Sequence, residues 1–298
     1  MTEEVRLLAP AKVNLYLEVL GRRPDGYHDL RMLMAPVSWF DRIRVGRLAE
    51  PGRVEVAVEG REGPPPGEDN LCVRAARFYF AETGARGGAR ILLKKRIPAG
   101  AGLGGGSSDA AAVVMGLERL FGRPLPAGAR RRAAFAVGAD VPFFFARGPA
   151  WVEGIGERVR PLPGTTPPLW LTVVWPGVFL STASVFSRLT KGLTSPGAAP
   201  RIAQFNFQGV ARGLRNDLQA AALIELPAIG SALGALRRAG ADHVLMSGSG
   251  SAVFGLLPGA VEAARVARTI RRMPEAQGWE VRVVRTLPPL GFPLREAR

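Results

Sequence analysis

The densest chemical signal in the chain is the run Pro98-Ala99-Gly100-Ala101-Gly102-Leu103-Gly104-Gly105-Gly106-Ser107-Ser108, followed at once by Asp109 and an alanine-rich segment. Glycines lack the Cβ that keeps backbone N–H groups apart, so five of them within Gly100–Gly106 let those groups converge on an anion. A helix expected to open near Ser107, with Ser and Asp at its start, adds free N–H groups and the positive end of its dipole. The run therefore reads as a phosphate cradle. It is not a P-loop, because no Lys-Ser/Thr pair closes it. Gly100-x-Gly102-x-x-Gly105 also satisfies the dinucleotide fingerprint, but its context is wrong for a nicotinamide or flavin enzyme. The preceding strand carries Lys94-Lys95-Arg96 in place of an apolar run, and Arg123-Pro-Leu-Pro stands where an acidic strand end belongs. The catalytic-loop and metal-binding motifs of protein kinases are missing as well.

Other polar residues join this run. From Val5 the sequence alternates, which predicts a half-buried strand with Val13, Leu15, Leu17 and Val19 on one face and Lys12, Asn14, Tyr16 and Glu18 on the other. Lys12 and Asn14 thus share a face. Asp140 lies in Gly138-Ala-Asp-Val-Pro142 at the end of a helix over 127–137, where the proline favours a turn. Ser247-Gly248-Ser249-Gly250-Ser251 is a second loop rich in donors. No acidic pair stands at metal spacing, so no protein metal ligand is assigned.

The elements that position these residues follow from periodicity and turn signals. Strands are expected over 42–46 and 54–59, with the turn Gly21–Gly26 before them and the proline-rich Gly63–Gly67 after. Asp69 or Asn70 caps a helix through Thr83, stopped at Gly84, and a strand over 89–97 leads into the glycine loop. Arg160–Pro168 reads as a linker. Beyond it come a strand over 169–175, a helix over 182–190, a loose Gly/Pro stretch to Arg201, and helices over 217–226 and 228–239. Two strands then flank the Ser247–Ser251 loop, followed by a helix over 259–273 and a strand over 280–287. This order resembles the β-α-β-β-α-β plan with inserted helices.

Composition narrows the class. Two domains fit 298 residues. The 40 basic against 25 acidic side chains leave +15, yet the longest basic runs are only Arg130–Arg132 and Lys94–Arg96, and no nucleic-acid-binding signature interleaves aromatic with basic residues. No nucleic-acid partner is expected. A single cysteine, Cys72, forms no internal disulfide and suits a reducing cytoplasm. No apolar stretch is long enough to span a membrane.

Pro98–Ser108 resembles the second motif of the GHMP small-molecule kinases, and Met246-Ser-Gly-Ser-Gly-Ser251 resembles their third, with Ser247 where a threonine is usual. Pro10-Ala-Lys-Val-Asn-Leu-Tyr-Leu, Arg23-Pro-Asp-Gly-Tyr-His-Asp-Leu, Gly138-Ala-Asp-Val-Pro-Phe-Phe and Gly154-Ile-Gly-Glu extend the resemblance over nearly the whole chain. It implies an α+β, two-domain GHMP kinase fold: a ribosomal-protein-S5-domain-2-like domain over 1–162 and a ferredoxin-like α+β domain over 163–298. It further implies phosphoryl transfer from ATP, with Mg²⁺, to a hydroxyl of a cytidine-diphosphate-linked sugar alcohol, by a cytoplasmic monomer or homodimer. Lys12 and Asp140 would be the catalytic pair, and Pro98 to Ser108 would hold the ATP phosphates. Asn14 and Gly248 would contact substrate, Tyr27 and His28 would hold the cytosine, and Phe186 of Ser184-Val-Phe-Ser would be a second stacking aromatic. Phosphoryl transfer runs largely on positioning and charge stabilisation, so orientation of the hydroxyl by Asp140 counts for more than its strength as a base.

Overall fold

The computed structural model describes residues 4–61, 67, 69–164, 166–189, 202, 204–289 and the backbone of 294–295. Most of Gly63–Gly67, and the Gly/Pro stretch from Lys191 to Arg201, lie outside the described residues. Strands β1 (Glu4–Arg22) and β2 (His28–Leu48) form a long antiparallel pair. After β3 (Val54–Gly60) comes α1 (Leu71–Thr83). Asn70 Oδ1 caps α1 by accepting the Cys72 N–H at 2.9 Å, and Gly84 ends it in the left-handed region, as the sequence predicts. Cys72 is buried in this helix, where burial pushes its thiol well up. Next come β4 (Gly88–Lys95), α2 (Gly105–Phe121), α3 (Ala129–Ala136), the short α4 (Val141–Phe145) and the hairpin of β5 (Ala150–Gly154) and β6 (Arg158–Pro161).

The second half runs β7 (Trp170–Trp175), α5 (Thr182–Ser187), α6 (Phe207–Gly213), β8 (Arg215–Asn216), α7 (Gln219–Glu225), α8 (Pro227–Arg238), β9 (His243–Met246), β10 (Val253–Leu257), α9 (Ala260–Ile270), β11 (Glu280–Arg285) and β12 (Leu294–Arg295). Its own sheet has the order β11-β7-β10-β9, all antiparallel, which is the β-α-β-β-α-β arrangement expected. The first sheet has the order β12-β1-β2-β4-β3, with β5 on β2 and β8 parallel to β1. Two strands of the second half therefore join the sheet of the first. The apolar contacts are shared too: Val13, Leu33 and Leu103 belong to one cluster with Leu171, Phe254 and Val284.

Five expectations are corrected. Strand β1 is not half-buried: from Ala9 to Val19 every residue is inside, because β1 packs on α2 and also, through Val13 and Leu15, against Leu171 and Phe254 of the second half. Strand β2 extends far beyond 42–46, because residues 32–37 are buried without alternation and so give no period-2 signal. Helix α2 opens at Gly105 rather than near Ser107, and no side chain caps it: the N-cap is Gly104, at φ 66°. The turn expected before Pro142 is present at 139–140, but α4 starts at Val141 with Pro142 in its first turn, which has no need of the missing N–H. The linker is also shorter than expected, since β6 runs to Pro161.

Candidate active site

The glycine loop is held against β1 by its backbone, the Lys12 N–H donating to Leu103 O at 2.8 Å. Gly104 allows the approach: a Cβ there would lie 2.9 Å from Lys12 Cγ and 3.2 Å from Phe144 Cζ. Just past it, α2 presents the N–H groups of its first turn with no side-chain acceptor. Ser108 Oγ, in that turn, is buried without a hydrogen-bond partner. Both features fit phosphate oxygens, the acceptors that a nucleotide would bring.

Lys12 is 4% exposed, yet its ammonium reaches the cleft. Nζ lies 2.5 Å from Asn14 Oδ1 and 3.5 Å from Asp140 Oδ2. Asp140 occupies the N-cap position of α4, but its carboxylate makes no capping hydrogen bond and is instead directed at Lys12. A residue type that ordinarily serves a helix end is here free to serve the cleft. The sequence-predicted Lys12, Asn14 and Asp140 are thus brought together.

The Ser247–Ser251 loop closes over this group. Ser247 Oγ donates to Gly102 O at 3.0 Å and accepts the Asn14 N–H at 3.3 Å, tying both glycine-rich loops to β1. A Cβ on Gly248 would lie 3.1 Å from Lys12 Nζ and 3.3 Å from Asn14 Oδ1. Asn216 of β8, which sequence reasoning missed, fixes the loop by donating to the carbonyls of Met246 and Gly248, both at 2.8 Å. Phe179 was missed as well. Its exposed ring lies against Gly100, where a Cβ would clash with it.

At the far end of β1, His28 and Phe186 stack with ring centroids 4.9 Å apart and planes at 26°. Burial, with the charge of Arg22, pushes the His28 imidazole below its ordinary value, favouring the neutral ring. Tyr27 does not join the stack; it is 58% exposed.

A second charged cluster lies beneath the phosphate loop. Lys95 Nζ contacts Asp41, and it donates to Asp109 Oδ2 at 2.7 Å; all three residues are almost wholly buried. Asp41 also accepts the N–H groups of Arg96 and of Ile97, the latter at 2.9 Å, while Asp109 Oδ1 has no partner. Burial pushes the Asp109 carboxyl up to about 8 despite the pull of Lys95. For Lys95 burial acts against the charge, and the two carboxylates outweigh it, holding the ammonium above its ordinary value. This cluster too was missed, although the signal existed: Asp41 and Lys95 both fall on the inward parity of strands whose neighbours at Ile43, Val45, Ile91 and Leu93 are apolar. Among the described residues no group of three or more His, Cys, Asp or Glu is placed to hold a metal ion, and no single helix is long and apolar enough to cross a membrane.

A glycine loop opening into an uncapped helix, a buried lysine facing a carboxylate and a second glycine-serine loop over both suit transfer of a phosphoryl group, and the chain belongs to the GHMP kinases, ATP-dependent small-molecule kinases. Residues 70–148 match the model of the GHMP kinases N terminal domain, and residues 198–276 match that of the GHMP kinases C terminal. Among its relatives, the chain is 41% identical to the 4-diphosphocytidyl-2-C-methyl-D-erythritol kinase of Geobacter sp. (strain M21), over 96% of this chain and 100% of that one. It is 43% identical to the kinase of the same name from Geobacter sulfurreducens, again over 96% and 100% of the two chains. A solved 4-(cytidine 5'-diphospho)-2C-methyl-D-erythritol kinase superposes with a TM-score of 0.78 at 38% identity, covering 94% of this chain and 98% of that one. The homoserine kinase of Cytophaga hutchinsonii shares the fold, with a TM-score of 0.75 at 21% identity over 98% and 97% of the two chains.

Proposed function

We propose that this enzyme transfers the terminal phosphoryl group of ATP to the 2-hydroxyl of 4-diphosphocytidyl-2-C-methyl-D-erythritol, giving the 2-phosphate and ADP, a step of the non-mevalonate isoprenoid pathway. The observation that carries the reading is the Lys12–Asp140 pair, at 3.5 Å, beside the Gly104 end of the phosphate loop. Pro98 to Ser108 hold the nucleotide phosphates through backbone N–H groups and the Ser108 hydroxyl. Asp140 accepts a hydrogen bond from the substrate hydroxyl and takes its proton as the bond to phosphorus forms. Lys12, steadied by Asn14, places positive charge where negative charge builds on the transferring group. A Mg²⁺ ion accompanying the nucleotide would rest on phosphate oxygens and water rather than on protein carboxylates, and would supply further charge neutralisation. His28 and Phe186, with Tyr27 beside them, hold the cytosine, and Gly248 lets the diphosphate-linked chain pass close to Lys12. The chain divides into domains over 1–162 and 163–298, with the substrate in the cleft between them, and the enzyme acts in the cytoplasm without nucleic acid or membrane.

The test is ADP release from ATP and Mg²⁺ with a panel of alcohols. Release is expected with 4-diphosphocytidyl-2-C-methyl-D-erythritol alone. Equal turnover of mevalonate or homoserine would move the substrate assignment elsewhere in the family, and no release with any alcohol would overturn the reading.

A further inference from the structure

A cavity of about 410 Å³, separate from the glycine loop and the aromatic stack, opens where the two halves of the chain meet behind α4. Its walls include Pro10 of β1, Pro36 of β2, Phe144 of α4 and Leu287 after β11, and two arginines, Arg147 and Arg285, stand on its lining. This is the composition of a small-molecule site: mostly apolar walls with a few charged groups that fix orientation. Three observations give it chemical character. Among the described residues no carboxylate lines the cavity or pairs with either guanidinium, so both charges are left to an occupant. Arg147 is the one non-glycine residue with positive φ among those described, at 63°, and side chains held in such backbone regions concentrate at ligand sites. The polar lining is otherwise cationic, so an occupant carries negative charge at one end and apolar surface at the other.

We propose that this cavity binds an amphiphilic anion, a phosphate or carboxylate headgroup at Arg147 and Arg285 with a short hydrocarbon chain against Pro10, Pro36, Phe144 and Leu287. Such an occupant would act on catalysis through packing. Phe144 touches both the cavity and the Gly104–Lys12 contact, and its helix begins at Asp140. The proposal is independent of which alcohol the enzyme phosphorylates.

Isothermal titration with hexyl phosphate and with hexanoate tests it, using enzyme saturated with ADP and CDP so that the catalytic cleft is filled. At least one of the two is expected to bind, with hexanol and inorganic phosphate each at least about tenfold weaker, the loss that goes with one charge-assisted hydrogen bond or with the apolar chain. Arg285→Ala and Arg147→Gly should each weaken binding by about tenfold or more. Arg147→Gly also relieves the positive φ, so its melting temperature should not fall, which separates lost binding from lost fold. Failure of both anions to bind, binding that hexanol matches, or undiminished affinity in both variants would overturn the proposal.

Discussion

Lys12 and Lys95 both approach the glycine loop, Lys12 beside Gly104 and Lys95 beside Gly105, and both face carboxylates. Around Lys95 everything is inside: Asp41 and Asp109 are 0% and 1% exposed, and the contacts are short. Around Lys12 the partner is looser, since the Asp140 side chain keeps 29% of its surface open and stands 3.5 Å away. The same pair of residue types therefore does two jobs. In the interior an ammonium held between two carboxyl groups locks β2, β4 and α2 together, because the Lys95 ammonium or the Asp41 carboxylate left alone there would be costly. At the cleft an ammonium and a carboxylate that do not fully satisfy each other remain available to a third group. Burial and completeness of partnering, rather than residue type, separate frame from chemistry.

The sharpest way to break this comparison is to neutralise each cluster. Asp140→Asn or Lys12→Met should cut turnover by about a thousandfold while the melting temperature and ADP affinity stay near those of the parent. Unchanged turnover would remove the pair from catalysis. Lys95→Met should do the reverse in kind, lowering stability by about 3–5 kcal/mol in denaturant titration, because the buried Asp41 carboxylate loses its counter-charge and Asp109 its hydrogen-bond donor. A variant as stable as the parent would mean that the interior cluster frames nothing. A smaller effect is expected where specificity lies: Phe186→Ala should weaken binding of the cytidine-bearing substrate by about 1–3 kcal/mol, the range for one stacked base, and leave the KM for ATP unaltered.

Stability should also depend on pH. The Asp109 carboxyl is held up at about 8 by burial, whereas unfolded it titrates near its ordinary 3.8. Between those values the folded chain keeps a proton that the unfolded chain has released, so this group's contribution favours folding below about 4 and is lost as pH rises towards 8. Asp109→Asn cannot lose that proton. Its stability, followed by melting from pH 5 to 8.5, should decline less steeply than that of the parent, and parallel curves would show that Asp109 is already ionised at neutral pH.

How much of this was legible in the sequence depends on whether the deciding interaction is local. Asn70 and Gly84 fixed both ends of α1, because capping needs only neighbouring residues. The phosphate loop was legible for the same reason, although its helix starts two residues early, since a left-handed Gly104 opens α2 where a Ser or Asp cap was expected. The Lys12–Asp140 contact spans 128 positions of sequence, and only the family resemblance linked the two. Nothing local marks Asn216, whose partners lie at Met246 and Gly248, or Arg147, whose conformation depends on the crevice around it. The two-residue strands β8 and β12 were unread because their pairing partner, β1, lies far away in the sequence.

The return of β8 and β12 to β1 bears on how the cleft can move. Protein halves joined by a single covalent passage can swing about it, and each can be excised. Here the chain crosses between the two sheets at 162–169, at β8 and again beyond Thr286, which bridges to Val37. The cleft walls are laced together at several points on one sheet. Opening and closing must therefore be confined to what rides above the lacing, such as the α5 segment bearing Phe186, and a chain cut at residue 162 would yield a first half with two places in its sheet left unfilled.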